Sequence, residues 1–186
     1  MTGTRDTSAE PRSGPGRRRD TQHRLTHDID IWVASASADG APYLVPLSFD
    51  WDGEALLAAT PAASPTGRNL AASRTARMAL GHTRDVSMID GEVEVLEIDA
   101  LPPETADRFA ARSGFDPRAE NAEYRWYRIS PRRIQAWREV NELPDRELMR
   151  DGRWLVEPGE TDKAREADPA RQTETRLGSA ASSMRL

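Results

Sequence analysis

Residues 31–53 read IWVASASADGAPYLVPLSFDWDG, and the fold class follows from them. Residues 31–37 are a β-rich run with alternation. Asp39-Gly40 comes next, a hairpin signal because Gly tolerates positive φ. Residues 42–49 alternate again: Tyr43, Val45, Leu47 and Phe49 fall on one face, Leu44, Pro46 and Ser48 on the other. Asp52-Gly53 supplies a second turn. Residues 54–60 make a third strand, with Leu56 and Leu57 on opposite faces. Three strands joined by short loops form an antiparallel meander.

Downstream, Ser64-Pro65 marks a helix start, since Ser is a favoured N-cap and Pro a favoured first helical residue. The helix is expected over Pro65–Ser73, burying Leu70. Residues 76–83 and 86–98 return to strand, with a bend at Asp90-Gly91. Pro102-Pro103 opens a second helix, to about Arg112. Residues 123–129 and 133–140 read as two strands split by Ser130-Pro131, with Ile134 and Ala136 facing one way and Gln135 and Trp137 the other. No repeat is visible. About six antiparallel strands with two short helices give a mainly β protein, a small barrel, which leaves few open edges.

The chain has 186 residues, a size for one domain. Hydrophobic residues make up 37% and charged ones 31%, and the mean hydropathy is −0.72, so part of the chain is read as solvated tail. Residues 1–26 and 158–186, rich in Gly, Pro and charge and without apolar periodicity, are the expected disordered tails around a domain spanning 27–157. The net charge of −5 argues against a nucleic-acid partner bound through a positive field. There is no cysteine, which removes disulfides, thiolate metal sites and thiol nucleophiles. No apolar run is long enough for a membrane span. Arg17, Arg18 and Arg19 are followed by polar residues rather than an export segment, so the expected location is the cytoplasm.

The most informative chemistry lies in Thr60-Pro-Ala-Ala-Ser64-Pro-Thr66-Gly67-Arg68-Asn69-Leu70, where a strand ends and a helix begins. Free N–H groups and the helix dipole favour an anion there. Ser64 and Thr66 add hydroxyls, and Arg68 a charged fork suited to phosphate. An ordinary N-cap beside a solvent-facing arginine is the alternative. On the last strand, Trp137 could lie against a flat ring and Arg138 on its polar edge; core or dimer interface is the alternative for Trp137. Trp126 and Tyr127 are read as core or interface. His23 and His27 lack a third metal partner, and no metal site is expected. His82 ends a strand, with a structural role the simpler reading. Ser48 and Ser64 have no Gly-x-Ser-x-Gly context, which argues against a serine hydrolase. No catalytic side chain is assigned.

Taken in order, the stretch from Trp32 through Asp39-Gly40-Ala-Pro42 to Phe49, then Trp51-Asp-Gly53, then Ser64-x-Thr66-x-Arg68-Asn69-Leu70, resembles the pyridoxamine 5′-phosphate oxidase-like family over residues 27–155. That family includes flavin and deazaflavin oxidoreductases of the split-barrel fold. The resemblance implies a homodimer with cofactors in grooves at the subunit interface, the cofactor being FMN or coenzyme F420, and an unidentified small-molecule substrate. It implies that Ser64, Thr66, Arg68 and Asn69 hold the cofactor phosphate, with Thr60 and Gly67 of the same turn among the cofactor-binding residues. It implies that Val45, Pro46, Leu47 and Ser48 lie along the ring, and that Ile134-x-x-Trp137 is similar to the strand that closes the oxidase site. The vitamin B6 oxidases follow that tryptophan with Arg-Leu-His-Asp-Arg; here the stretch is Val140-Asn-Glu-Leu-Pro144-Asp-Arg146, without histidine. A non-catalytic protein that binds a flavin or haem is the alternative, with His82 the one candidate axial ligand inside the fold.

Overall fold

The computed structural model describes residues 10–157. Eight strands and three helices follow one another as α1 (Gly14–His27), β1 (Asp30–Ala36), β2 (Pro42–Trp51), β3 (Leu56–Pro61), α2 (Pro65–Ser73), β4 (Thr75–His82), β5 (Asp85–Glu97), α3 (Pro103–Ser113), β6 (Tyr124–Trp137), β7 (Glu147–Arg150) and β8 (Arg153–Trp154). The sheet order is β3-β2-β1-β4-β5-β6-β7-β8, and β3 also pairs with β6. That last pairing closes β1–β6 into an antiparallel barrel and leaves β7 and β8 as an extension. No helix among the described residues is long and apolar enough to cross a membrane.

Alternation fills the barrel. Ile31, Val33, Phe49, Leu56, Met78, Leu80, Ile89 and Ile134 point inward and are almost fully buried. Odd and even residues of β3 are both buried, because Leu56 faces the barrel while Leu57 and Ala59 lie under α3 with Phe109 and Trp126. The Phe109 and Trp126 rings meet edge to face at 5.1 Å, and Trp126 donates its indole N–H to the Ile98 carbonyl at 3.0 Å. Trp126 and Tyr127 are both fully buried within one chain, so neither is available to an interface.

β7 and β8 lie beyond the last expected strand, and two further elements differ from the expectation. Ser130-Pro131 does not split the last strand: β6 runs continuously over 14 residues. The extra residue is absorbed by a bulge, with Asp90 opposite Arg133 and Gly91 opposite Pro131. Pro131 falls after β3 has stopped pairing at Ile129 and before β7 begins at Ile134, so on that side of β6 its missing N–H leaves no ladder bond unmade. Gly91 must be glycine there, because a Cβ would stand 2.7 Å from the Ile129 side chain and 3.0 Å from the Ser130 carbonyl.

The second change is α1, which occupies residues assigned to a tail. Residues 1–9 and 158–186, the rest of the expected tails, lie outside the described residues. Ser13 caps α1 by accepting from Gly16 N–H at 3.2 Å. Arg17, Thr21 and Leu25, spaced four apart, form its buried face. Leu25 enters the barrel core, and Thr21 meets the buried Ser87 hydroxyl at 2.8 Å. Arg112 of α3 donates to the Thr26 and Asp28 carbonyls, each at 2.6 Å, and so secures the end of the helix. Arg12 joins Asp20 (2.8 Å), Asp85 (3.1 Å) and Glu142 (2.7 Å), while Arg24 joins Asp85 at 2.7 Å. One apolar residue is enough for α1 because ion pairs and carbonyl contacts supply the rest. Thus α1 closes one barrel end and α2, with Leu70 in the core, closes the other.

Glu142 is 3% exposed and anchors this network. Burial alone would raise its pKa. Hydrogen bonds from the Arg12 side chain and N–H and from Arg138 N–H outweigh that and hold it down at about 2. The carboxylate therefore stabilises the fold fully above its ordinary value of 4.5, and that contribution is lost as pH falls toward 2. Glu142→Gln is expected to cost about 2 kcal/mol at neutral pH and to flatten the acid limb of the stability curve in that window, read by urea unfolding at stepped pH. Gly91→Ala is expected to lose about 1–3 kcal/mol by overpacking, read in the same assay at pH 7.

Candidate functional site

The strand-to-helix turn after β3 forms as its sequence requires. Ser64, in extended backbone, caps α2 by accepting from Gly67 N–H at 2.9 Å. Its hydroxyl also meets that of Thr60 at 3.2 Å. Gly67 lets the first turn of α2 sit flush on the strand end: a Cβ there would collide with the Pro61 carbonyl and stand 2.9 Å from the Tyr127 hydroxyl. Thr66 and Asn69 are buried, and Asn69 donates from its amide to the Ser35 hydroxyl at 3.1 Å, tying α2 to the end of β1. Arg68 is exposed and donates to the Ala63 carbonyl.

Tyr127 lies beneath this turn. Its hydroxyl is buried and has no hydrogen-bond partner among the described residues. Burial is the main reason its pKa is raised, so it stays a neutral donor. Sequence reading placed Tyr127 in the core without this role; its inward parity on β6 and the glycine at 67 are the signals that pair them.

The second part of the site is the outer face of the barrel. Register places Pro46 beside Trp32, Trp32 beside Ala79, Ala79 beside Met88 and Met88 beside Gln135. The adjacent row runs Leu44, Ala34, Arg77, Asp90 and Arg133. Directly opposed residues of an antiparallel pair share a face, so these two rows form one surface. It is apolar toward β1 and β2 and charged toward β6. Leu44 is 59% and Trp32 49% exposed. Of the four residues expected along a ring, Pro46 and Ser48 share this surface, with Ser48 donating to Asp30 at 2.7 Å. Val45 and Leu47 pair with Val33 and Ile31 and turn inward, leaving only their backbone to the outside. Trp32 and Leu44 are the functional candidates that the sequence reading left unassigned.

Trp137 and Arg138 do not join the phosphate turn within one chain. β6 starts at Tyr124, opposite Pro61 beside α2, and ends at Trp137. That is about 40 Å along an extended strand. Trp137 lies opposite Val86 at the α1 end, with the Arg146 guanidinium 5.6 Å from its ring. Arg138 is bound to Asp85 at 3.1 Å and lies 3.7 Å from Asp20, so it is part of the network that holds α1. His82 is exposed, opposite Asp85 at the tip of the β4–β5 turn and at the α1 end of the barrel.

This turn can offer an anion three things: a capped helix start, a pair of hydroxyls and an exposed guanidinium. No curated protein matches the sequence. Among solved structures, an F420 reductase is similar with a TM-score of 0.50 and 20% identity, over 61% of this chain and 94% of that one. A candidate pyridoxamine 5′-phosphate oxidase of Listeria innocua has a TM-score of 0.52 and 16% identity, over 66% and 97%. A protein of Agrobacterium tumefaciens of unknown function has a TM-score of 0.56 and 16% identity, over 75% and 64%. At these identities the likeness is one of fold. A family model described as pyridoxamine 5′-phosphate oxidase matches residues 24–138, more than half of the chain, and the chain belongs to that family.

Proposed function

We propose that this protein is a cytoplasmic, homodimeric oxidoreductase that binds FMN or the deazaflavin coenzyme F420 and acts on a small molecule. The observation that carries the reading is the α2 turn, where Ser64, Thr60 and the exposed Arg68 meet a helix N-terminus next to an uncovered apolar face. The residues fit a phosphate. Arg68 is free to exchange its carbonyl contact for a charged partner, and the turn is held in shape by Gly67, whose place no larger residue can take. Thr66 and Asn69 act from below, as buried supports of the turn. Pro46 and Ser48, with the backbone of Val45 and Leu47, form the wall for a ring. A flavin or deazaflavin bound there supplies the hydride chemistry itself. The protein supplies position and exclusion of water.

A second copy completes the arrangement. Trp32 and Leu44 are large apolar side chains in one patch of the outer face. Trp137, at the opposite end of the barrel from the phosphate turn, would reach a cofactor from the partner. A haem reading needs an axial ligand beside Pro46 and Trp32, and His82 lies at the α1 end instead.

Arg68→Ala is expected to weaken FMN or coenzyme F420 by about one to two orders of magnitude and to leave riboflavin, which lacks the phosphate, unchanged. Calorimetric titration of both variants checks this. FMN and F420 binding to Arg68→Ala as tightly as to wild type would return the turn to a plain N-cap. The spectrum and mass of the copurifying chromophore separate the two cofactors. Leu44→Asp is expected to convert a two-chain particle into a one-chain particle by light scattering; a one-chain mass for wild type at micromolar concentration sinks the dimer.

A further inference from the structure

At the barrel end remote from α2 lies a groove of about 980 Å³, between the first turn of α1 and the segment 141–156. Its size is that of a small-molecule site. Four arginines line it, and their states differ. Arg12 is satisfied by Glu142, Asp85 and Asp20, and Arg150 by Glu147. Arg17 and Arg146 have no carboxylate partner among the described residues.

Arg17 is 5% exposed, which makes it the more demanding of the two. Its Nη1 donates only to the Glu142 and Pro144 carbonyls, at 3.0 and 3.4 Å, and its Nε has no partner. A buried cation met by neutral carbonyls alone is costly to keep. The acids nearby do not answer it. The Glu142 oxygens are taken by Arg12 and the Arg138 N–H, and Glu147 is taken by Arg133 and Arg150. Asp145 lines the groove too, but it is exposed. Arg146 is half-buried, stacked near Trp137, and contributes a second fork. The positive end of α1, a helix of 14 residues, opens on the same groove at Ser13 and Gly14. The remaining wall is apolar: Leu143 and Leu155 are 37% and 48% exposed, beside Val156.

We propose that this groove binds a small oxyanion on an apolar body, a carboxylate or phosphate monoester whose head meets Arg17 and Arg146 and whose body lies on Leu143 and Leu155. The site is separate from the α2 turn and does not depend on the function assigned to that turn.

The test is calorimetric titration of the full chain with sodium benzoate and, separately, inorganic phosphate, each against sodium chloride of equal ionic strength. At least one probe is expected to saturate where chloride does not. Benzoate alone assigns a carboxylate on an apolar body, and phosphate alone assigns a phosphate head. Arg146→Gln, on a half-buried side chain that carries no described ion pair, is expected to weaken the response about tenfold. Leu155→Ala is expected to weaken benzoate and spare phosphate. Because the α2 turn is also a candidate for phosphate, Arg68→Ala is titrated in parallel. A response that survives Arg68→Ala and falls in Arg146→Gln belongs to the groove. A response that falls in Arg68→Ala and survives in Arg146→Gln overturns the proposal, as does the absence of saturation by either probe.

Discussion

The close approach of β5 to β6 at Gly91 is the constraint on which the barrel depends. β6 is asked to pair with β5 along its whole length, with β3 over its first half and with β7 near its end. A strand with straight pleating cannot follow two neighbours that diverge. The bulge opposite Asp90 and Gly91 bends β6 where the β3 ladder ends, and the absence of a side chain at Gly91 lets the backbones meet. Pro131 then occupies the short interval in which β6 has one neighbour rather than two. Closure of the barrel through the β3–β6 pairing follows from that geometry.

Once the barrel is closed, its two ends are sealed by different physics. At one end α2 is short and conventional, with a serine cap, Leu70 in the core and a left-handed Arg74 at its close. At the other, α1 is polar and is held by directed contacts to Asp85, Ser87 and Glu142. Desolvating these charges is tolerable because nearly every lone pair is answered. Arg17, met by two carbonyls and by no carboxylate among the described residues, is a buried cation of this network without a counter-charge.

Strands β1 to β6, α2 and α3 were legible because their signals are local: alternation, Asp-Gly turns, Ser-Pro and Pro-Pro helix starts; β7 and β8, at four and two residues, are too short to show alternation. The α2 turn was legible as a candidate site for the same reason. What escaped was tertiary. In α1 a single leucine gives no apolar stripe, and the burial of Arg17 and Thr21 depends on partners more than 60 residues away. The cap at Ser13 with Pro15 behind it was the available signal, the same one that marked Ser64 and Pro65. Pro131 was read as a break because the rule that excludes proline from strands assumes two neighbours. Trp137 and Arg138 lie at the far end of a 14-residue strand from the phosphate turn of the same chain, a separation that only the closed barrel reveals.

The two rows that form the outer face hold Pro46, Trp32, Ala79, Met88 and Gln135, then Leu44, Ala34, Arg77, Asp90 and Arg133. Among these ten, the one carboxylate, Asp90, is held by Arg77 in a two-pronged pair. A surface of this kind can exclude water and fix the plane of a ring, and its two rows contain no histidine, cysteine or tyrosine. On the function proposed above, selectivity comes from shape and from the charged margin toward β6, with the cofactor carrying the reaction.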